Sequence, residues 1–271
     1  MTELERLCRD ARDQGRKALV PFLTAGFPDE RTTLDLLTRC GEIGCDVVEV
    51  GVPFCDPVAD GPVIQQASQA ALDGGMTLRR SLALINELKG GPVRPVLMTY
   101  LNPVLRLGVE DFARTASDAG CVGVIVPDLS FEESAPIRRA LADHGLPLVD
   151  LVAPGTSADR LARIAAVAAG YLYLVAVAGV TGAGGGRAAD WEAMADRVRQ
   201  STDLPSYLGF GIDSPERARA AADQADGVIV GSALIRRLID QPDFQTGAEE
   251  VIALLSAMRD ALNSSFQRSS P

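Results

Sequence analysis

Residues 46–65 read DVVEVGVPFCDPVADGPVIQ. The first seven, Asp46–Val52, are valine-rich and apolar apart from Asp46 and Glu49, as expected of a parallel strand covered on both faces. Pro53, Pro57, Gly61 and Pro62 then mark a loop, and within it stands a second acid, Asp60. An ionised carboxylate facing a packed interior costs several kcal/mol unless it is paired, solvated or put to use. A strand-borne acid followed by another on the next loop therefore reads first as a site. The plainer reading has Glu49 facing a helix and paired with an arginine, with Asp60 a solvated turn residue.

Working outward, the same kind of run recurs. Strands are predicted at Ala18–Ala25, Asp46–Val52, Pro95–Tyr100, Gly123–Asp128, Leu146–Ala153, Tyr171–Val177, Ser206–Gly211 and Gly227–Ser232. Between them lie segments of helical period with readable starts. Asp29 or Thr32 opens a helix to Glu42, Ser130 or Glu132 one to Gly145, Ser157 one ended by Gly170, and Ser214-Pro215-Glu216 another. Eight strand–helix units without a composition break predict a single (β/α)₈ barrel preceded by an N-terminal helix, with a doubly wound sheet as the structural alternative. The barrel is expected to occupy residues 1–262, and the polar stretch 263–271 to be a disordered tail.

In such a barrel the loops after the strands form the active face. Glu49 then falls near the C-terminal end of strand 2 and Asp60 on the loop beyond it, so both acids are expected to reach one cavity. Three glycine-bearing segments follow strands 6, 7 and 8: Gly179–Gly182, Gly209–Gly211 and Gly231-Ser232. Glycine admits close backbone approach, and free N–H groups at a helix start attract an anion, so these segments predict a phosphate site needing no lysine or arginine. The run Gly182–Gly186 (GAGGG) reads as a lid that closes on substrate or partner.

Composition sets the outer limits. The chain has 271 residues, 47% of them hydrophobic, a net charge of −10 and a pI of about 4.7. With no basic block, wrapping nucleic acid or an anionic membrane surface is not expected. Five cysteines without a CxxC pair and a single histidine, His144, offer no metal constellation and read as reduced thiols. The charged N-terminus has no signal-peptide core and no apolar run approaches the ~18 residues of a membrane span, so a cytoplasmic location is expected.

Several blocks resemble the α chain of tryptophan synthase: PFLTAGFP (21–28), EVGVPFCDPVADGPVIQ (49–65), YLNP (100–103), GVIVPDL (123–129), GVTGA (179–183), GFGIDSPE (209–216) and GVIVGSA (227–233). The likeness runs in order from about residue 15 to 260. It implies a (β/α)₈ lyase that cleaves indole-3-glycerol phosphate to indole and glyceraldehyde 3-phosphate. Glu49 would then match the acid–base glutamate and Asp60 the aspartate that binds the indole N–H. The resemblance places Gly182, Gly211, Gly231 and Ser232 at the phosphate, and Phe22, Tyr173, Thr181 and Phe210 around the indole. It also implies a β subunit carrying pyridoxal phosphate in an α₂β₂ heterotetramer, faced by Pro53, Asp56, Pro57 and Asn102. The chain itself would need no cofactor and no metal. Cys55 stands where the family commonly has serine, and its thiol is a weaker hydrogen-bond donor on that loop. The nearest alternative is a stand-alone lyase that releases free indole for secondary metabolism.

Overall fold

The computed structural model describes residues 1–175, 186–209 and 211–266, apart from the side chains of residues 186–191 and 264–266. Eight strands form one parallel sheet: β1 (Ala18–Thr24), β2 (Val47–Gly51), β3 (Arg94–Met98), β4 (Gly123–Ile125), β5 (Asp150–Val152), β6 (Leu172–Val175), β7 (Ser206–Gly209) and β8 (Gly227–Val230). The hydrogen-bonded order is β4-β3-β2-β1-β8-β7-β6-β5. A parallel bridge between Val124 and Leu148 joins the two outer strands and closes the barrel. Two backbone hydrogen bonds secure that seam, Val124 N–H to Pro147 O at 3.0 Å and Val149 N–H to Val124 O at 2.9 Å. The predicted eight-unit barrel is therefore the architecture, and the doubly wound alternative falls.

Each predicted strand appears, most of them trimmed at the end where the loop begins. Gly123–Asp128 shortens to β4 because Pro127 cannot donate to a ladder. Of Leu146–Ala153, only the Leu148 bridge and β5 pair. Helix starts follow local chemistry: Asp29, Ser157 and Ser214 each accept from the backbone N–H three residues on. The helix expected from Ser130 to Gly145 is instead a 3₁₀ turn, Phe131–Glu133, followed by a helix over Ala135–Asp143 with proline in its first turn. The helix after Ser157 stops at Ala165, short of Gly170. At the other end, the helix Phe244–Phe266 carries regular structure through residues 263–266, where the sequence predicts a disordered tail. Residues 267–271 lie outside the described residues.

Two apolar cores result. One lies between the strands and the surrounding helices. The other fills the barrel interior with Val20, Val47, Val96, Ile125, Val149, Tyr171, Tyr207 and Ile229. The N-terminal helix Glu3–Asp13 contributes Leu4 and Cys8 to this interior cluster. Side chains two apart on a strand share a face, so Glu49 points the same way as Val47, into the barrel. Among the described residues no helix is long and apolar enough to cross a membrane, and no group of His, Cys, Asp and Glu could hold a metal ion.

Candidate active site

Glu49 sits in the middle of β2, with Phe22 of β1 and Val96 of β3 as its register neighbours. It is fully buried, at 0% exposure. Among the described residues no arginine meets it. The Tyr171 hydroxyl donates to Oε1 at 2.6 Å, and Oε2 has no hydrogen-bond partner among the described residues. Burial pushes this carboxyl up to about 8, against the smaller opposing pull of the Tyr171 hydrogen bond. At neutral pH Glu49 is therefore mostly a neutral acid, which is how a packed interior tolerates it.

Asp60 is held by the loop's own bonding. Its N–H donates to Pro57 O at 3.1 Å, and Gln65 Nε2 donates to its carbonyl at 2.8 Å. The Tyr100 hydroxyl accepts the Ala59 N–H at 3.2 Å, while the Tyr100 ring stacks on Phe54 with centroids 5.1 Å apart. Partial burial raises the Asp60 carboxyl to about 6, with Tyr100 pulling it down. Tyr173 connects the two acids: its phenol is raised first by burial, then by the charges of both Glu49 and Asp60. Both carboxylates therefore lie near the same tyrosine rather than on unrelated surfaces.

A cavity of about 310 Å³ opens here, lined by Phe22, Asp60, Met98 and Tyr173 on one part and by Gly211, Gly231, Ser232 and Arg236 on another. Two glycines make room for its aromatic walls. A Cβ on Gly51 would come within 2.5 Å of the Phe22 ring, and one on Gly209 within 2.4 Å of the Tyr173 hydroxyl. Gly209 thus makes room for the Tyr173 ring. Gly211 has φ +70°, a left-handed turn suited to glycine, and Arg217 donates to its carbonyl at 3.2 Å. Gly231 precedes the helix Ser232–Asp240, whose start has no side-chain cap, so its first N–H groups remain available to an anion.

Of the residues expected at the site, Glu49, Asp60, Phe22, Tyr173, Gly211, Gly231 and Ser232 are brought to this end of the barrel, although Glu49 does not itself line the cavity. Thr181, Gly182, Phe210 and the lid residues up to Ala183–Gly185 lie outside the described residues. On the loop after β2, Asp56 is exposed and Pro57 half-buried, whereas Pro53 is buried. Asn102 is exposed, and Cys55 is an exposed free thiol. Three participants escaped the sequence reading. Tyr171 looked like ordinary strand filling, although its spacing of two from Tyr173 does place both on one face. Tyr100 was quoted only as part of a motif. Arg236 is the cation that a backbone-only phosphate site did not call for, and its spacing of four from Ser232 puts both on one helix face.

A family model described as tryptophan synthase alpha chain matches residues 8–263. The chain belongs to the tryptophan synthase alpha chain family. It is 44% identical over 265 residues to the alpha chain of Synechococcus elongatus, covering 97% of this chain and 98% of that one. It is 46% identical over 241 residues to the alpha chain of Nitratidesulfovibrio vulgaris, with 88% and 93% covered. Among solved structures, the alpha chain of Legionella pneumophila superposes with a TM-score of 0.87 at 35% identity over 97% of this chain and 98% of that one. Tryptophan synthase from Mycobacterium tuberculosis, in an aminoacrylate- and BRD0059-bound form, matches with a TM-score of 0.87, at 35% identity, over 96% of this chain and 98% of that one. As a tryptophan synthase alpha chain it is a lyase of tryptophan biosynthesis that cleaves indole-3-glycerol phosphate. The stand-alone reading gains no support from these relatives.

Proposed function

We propose that Glu49 and Asp60 carry the lyase reaction with divided duties, and that indole then passes to a β subunit. The observation that supports this reading is that both acids act on Tyr173 beside a single cavity while burial holds their acidities apart, Asp60 near 6 and Glu49 near 8. Pairs of titratable groups pushed apart in this way define an acid and a base. Near neutral pH, Glu49 carries a proton and Asp60 does not.

The steps then balance. Glu49 gives its proton to indole C3, producing an indolenine whose ring nitrogen bears positive charge and keeps its hydrogen. Ionised Asp60 accepts a hydrogen bond from that N–H and stabilises the charge. The Glu49 carboxylate next takes the proton of the hydroxyl on the carbon attached to C3. The C–C bond breaks, its electrons return to the ring, and the side chain leaves as an aldehyde. Glu49 ends protonated, as it began. Phe22 and Tyr173 flank the indole, and the phosphate rests against Gly211, Gly231 and Ser232, with Thr181, Gly182 and Phe210 assigned by the family's pattern.

Arg236 supplies the positive charge that a chain of net −10 otherwise withholds from a phosphorylated substrate. Among the described residues no carboxylate is in ion-pair contact with it. Arg236→Gln should raise KM for indole-3-glycerol phosphate about tenfold with kcat unchanged, an effect that shrinks as salt screens the charge. Unphosphorylated indole glycerol, assayed alongside, should show no difference between variant and wild type. Equal KM values for the phosphorylated substrate would remove Arg236 from the site.

The partner surface is read from two adjoining segments. Val58, 74% exposed, and Leu105, 54% exposed, are large apolar side chains left to solvent on the β2 loop and on the helix Leu101–Leu107. The Ala59–Tyr100 hydrogen bond and the Phe54–Tyr100 stack tie these segments together, and Asp128 accepts the Leu101 N–H at 2.9 Å to fix the helix start. Such a patch fits a protein partner, here a β subunit holding pyridoxal phosphate in an α₂β₂ assembly of the cytoplasm; the present chain needs no cofactor. The test is indole formation from indole-3-glycerol phosphate by the isolated chain, with and without a β subunit. Stimulation by the partner, with little free indole released, is the expected result. Rapid indole release unaffected by the partner would favour the stand-alone lyase.

A further inference from the structure

The Glu49 carboxyl is fixed by a single hydrogen bond among the described residues, from the Tyr171 hydroxyl to Oε1, with Oε2 unpartnered. Whatever fixes Tyr171 therefore fixes Glu49. The Tyr171 ring stacks on that of Tyr207 on the next strand, with centroids 4.6 Å apart and planes 24° apart. Both rings are buried, and Tyr207 is not among the residues that line the cavity. Behind Tyr207 stands the N-terminal helix, whose Cys8 belongs to the same buried cluster and shares a small void with Tyr207 and Asp46.

We propose that Tyr207, braced by the N-terminal helix, is a positioning residue for Glu49: its flat ring holds Tyr171 so that the Tyr171 hydroxyl keeps the carboxyl oriented and tunes its acidity. The proposal rests on the role given to Glu49 above. Glu49 is coupled to Tyr171 and Tyr173; Tyr171 faces Glu49, Cys8 and Tyr173; Tyr207 faces Cys8, Asp226 and Asp46. No cation is present among them to replace the Tyr171 hydrogen bond. That bond favours the ionised carboxylate, so loosening it drives the Glu49 midpoint upward.

The experiment is the pH dependence of kcat/KM, together with a direct titration of the Glu49 carboxyl by isotope-edited NMR, using the Glu49→Gln spectrum as the assignment. Tyr207→Met fills the volume without a flat ring and should move the midpoint up by about half a unit to one unit, lowering kcat several-fold at unchanged KM. Tyr171→Phe should move it at least as far. Tyr207→Phe keeps the ring and should restore the wild-type midpoint. Tyr207→Leu serves if the methionine variant does not fold. A lower melting temperature with the wild-type midpoint in Tyr207→Met or Tyr207→Leu would reduce Tyr207 to core packing and overturn the proposal. So would an equal shift in Tyr207→Phe. If Glu49→Gln retains activity, the role of Glu49 fails instead, while the NMR titration still reads the coupling.

Discussion

Glu49→Gln should abolish indole formation, lowering kcat by about 10²–10⁴-fold, because a glutamine amide can neither give a proton to C3 nor take one from the hydroxyl. Substrate binding should persist, since Phe22, Tyr173 and the Gly211, Gly231 and Ser232 end of the cavity are left in place. The pH behaviour of the wild type carries the same assignment. With Glu49 required as an acid at about 8 and Asp60 as an anion above about 6, kcat/KM should be bell-shaped with its plateau between those values. Stability gives an independent reading. A carboxyl whose folded value is raised from 4.5 to about 8 stabilises the fold fully below 4.5. That contribution is lost between 4.5 and about 8, because over that range the unfolded chain releases a proton that the native state keeps. Glutamine stays neutral at every pH. The variant should therefore exceed the wild type in stability by several kcal/mol above pH 8, as measured by urea unfolding at pH 6 and pH 9. Retained activity, or a stability difference that does not grow with pH, would exclude a buried protonated Glu49.

The second large effect belongs to Asp60. Asp60→Asn keeps the size of the side chain but removes the charge that offsets the indolenine cation, and kcat should fall about 10²–10³-fold. The acid limb near pH 6 should disappear with it. A substrate methylated on the indole nitrogen has no N–H to offer and should be cleaved slowly by both forms, so the difference between wild type and variant nearly vanishes. A variant that retains the acid limb would assign that limb to another group. Tyr100 ties this second acid to the partner-facing helix, since its hydroxyl and ring hold the loop on which Asp60 stands.

Much of the site could be read from residues close in sequence. Glu49 stood out because one acid interrupted an apolar run, and Asp60 because proline and glycine placed it on the following loop. Gly211, Gly231 and Ser232 were legible because turns and helix starts are local matters. Arg236 was not, since an exposed arginine on an amphipathic helix looks like any solvated surface residue until the cavity is seen beside it. Pro53 was expected to face the partner, yet it is buried, whereas Cys55, Asp56 and Val58 farther along the loop are exposed.

By itself the sequence determined the eight strand–helix units, their order and where most of the strands begin to within a residue. Those depend on period, capping and proline, which act within a few residues of the chain. It also determined that two acids would stand at the end of the second strand and on the loop beyond it. The direction in which Glu49 points was settled only by closure of the barrel, because a strand apolar on both faces has no local preference for inside or outside. Its acidity was settled in the same way. The Tyr171 hydroxyl that meets it comes from 122 residues away, and the desolvation that keeps its proton in place exists only once the interior has been sealed from water.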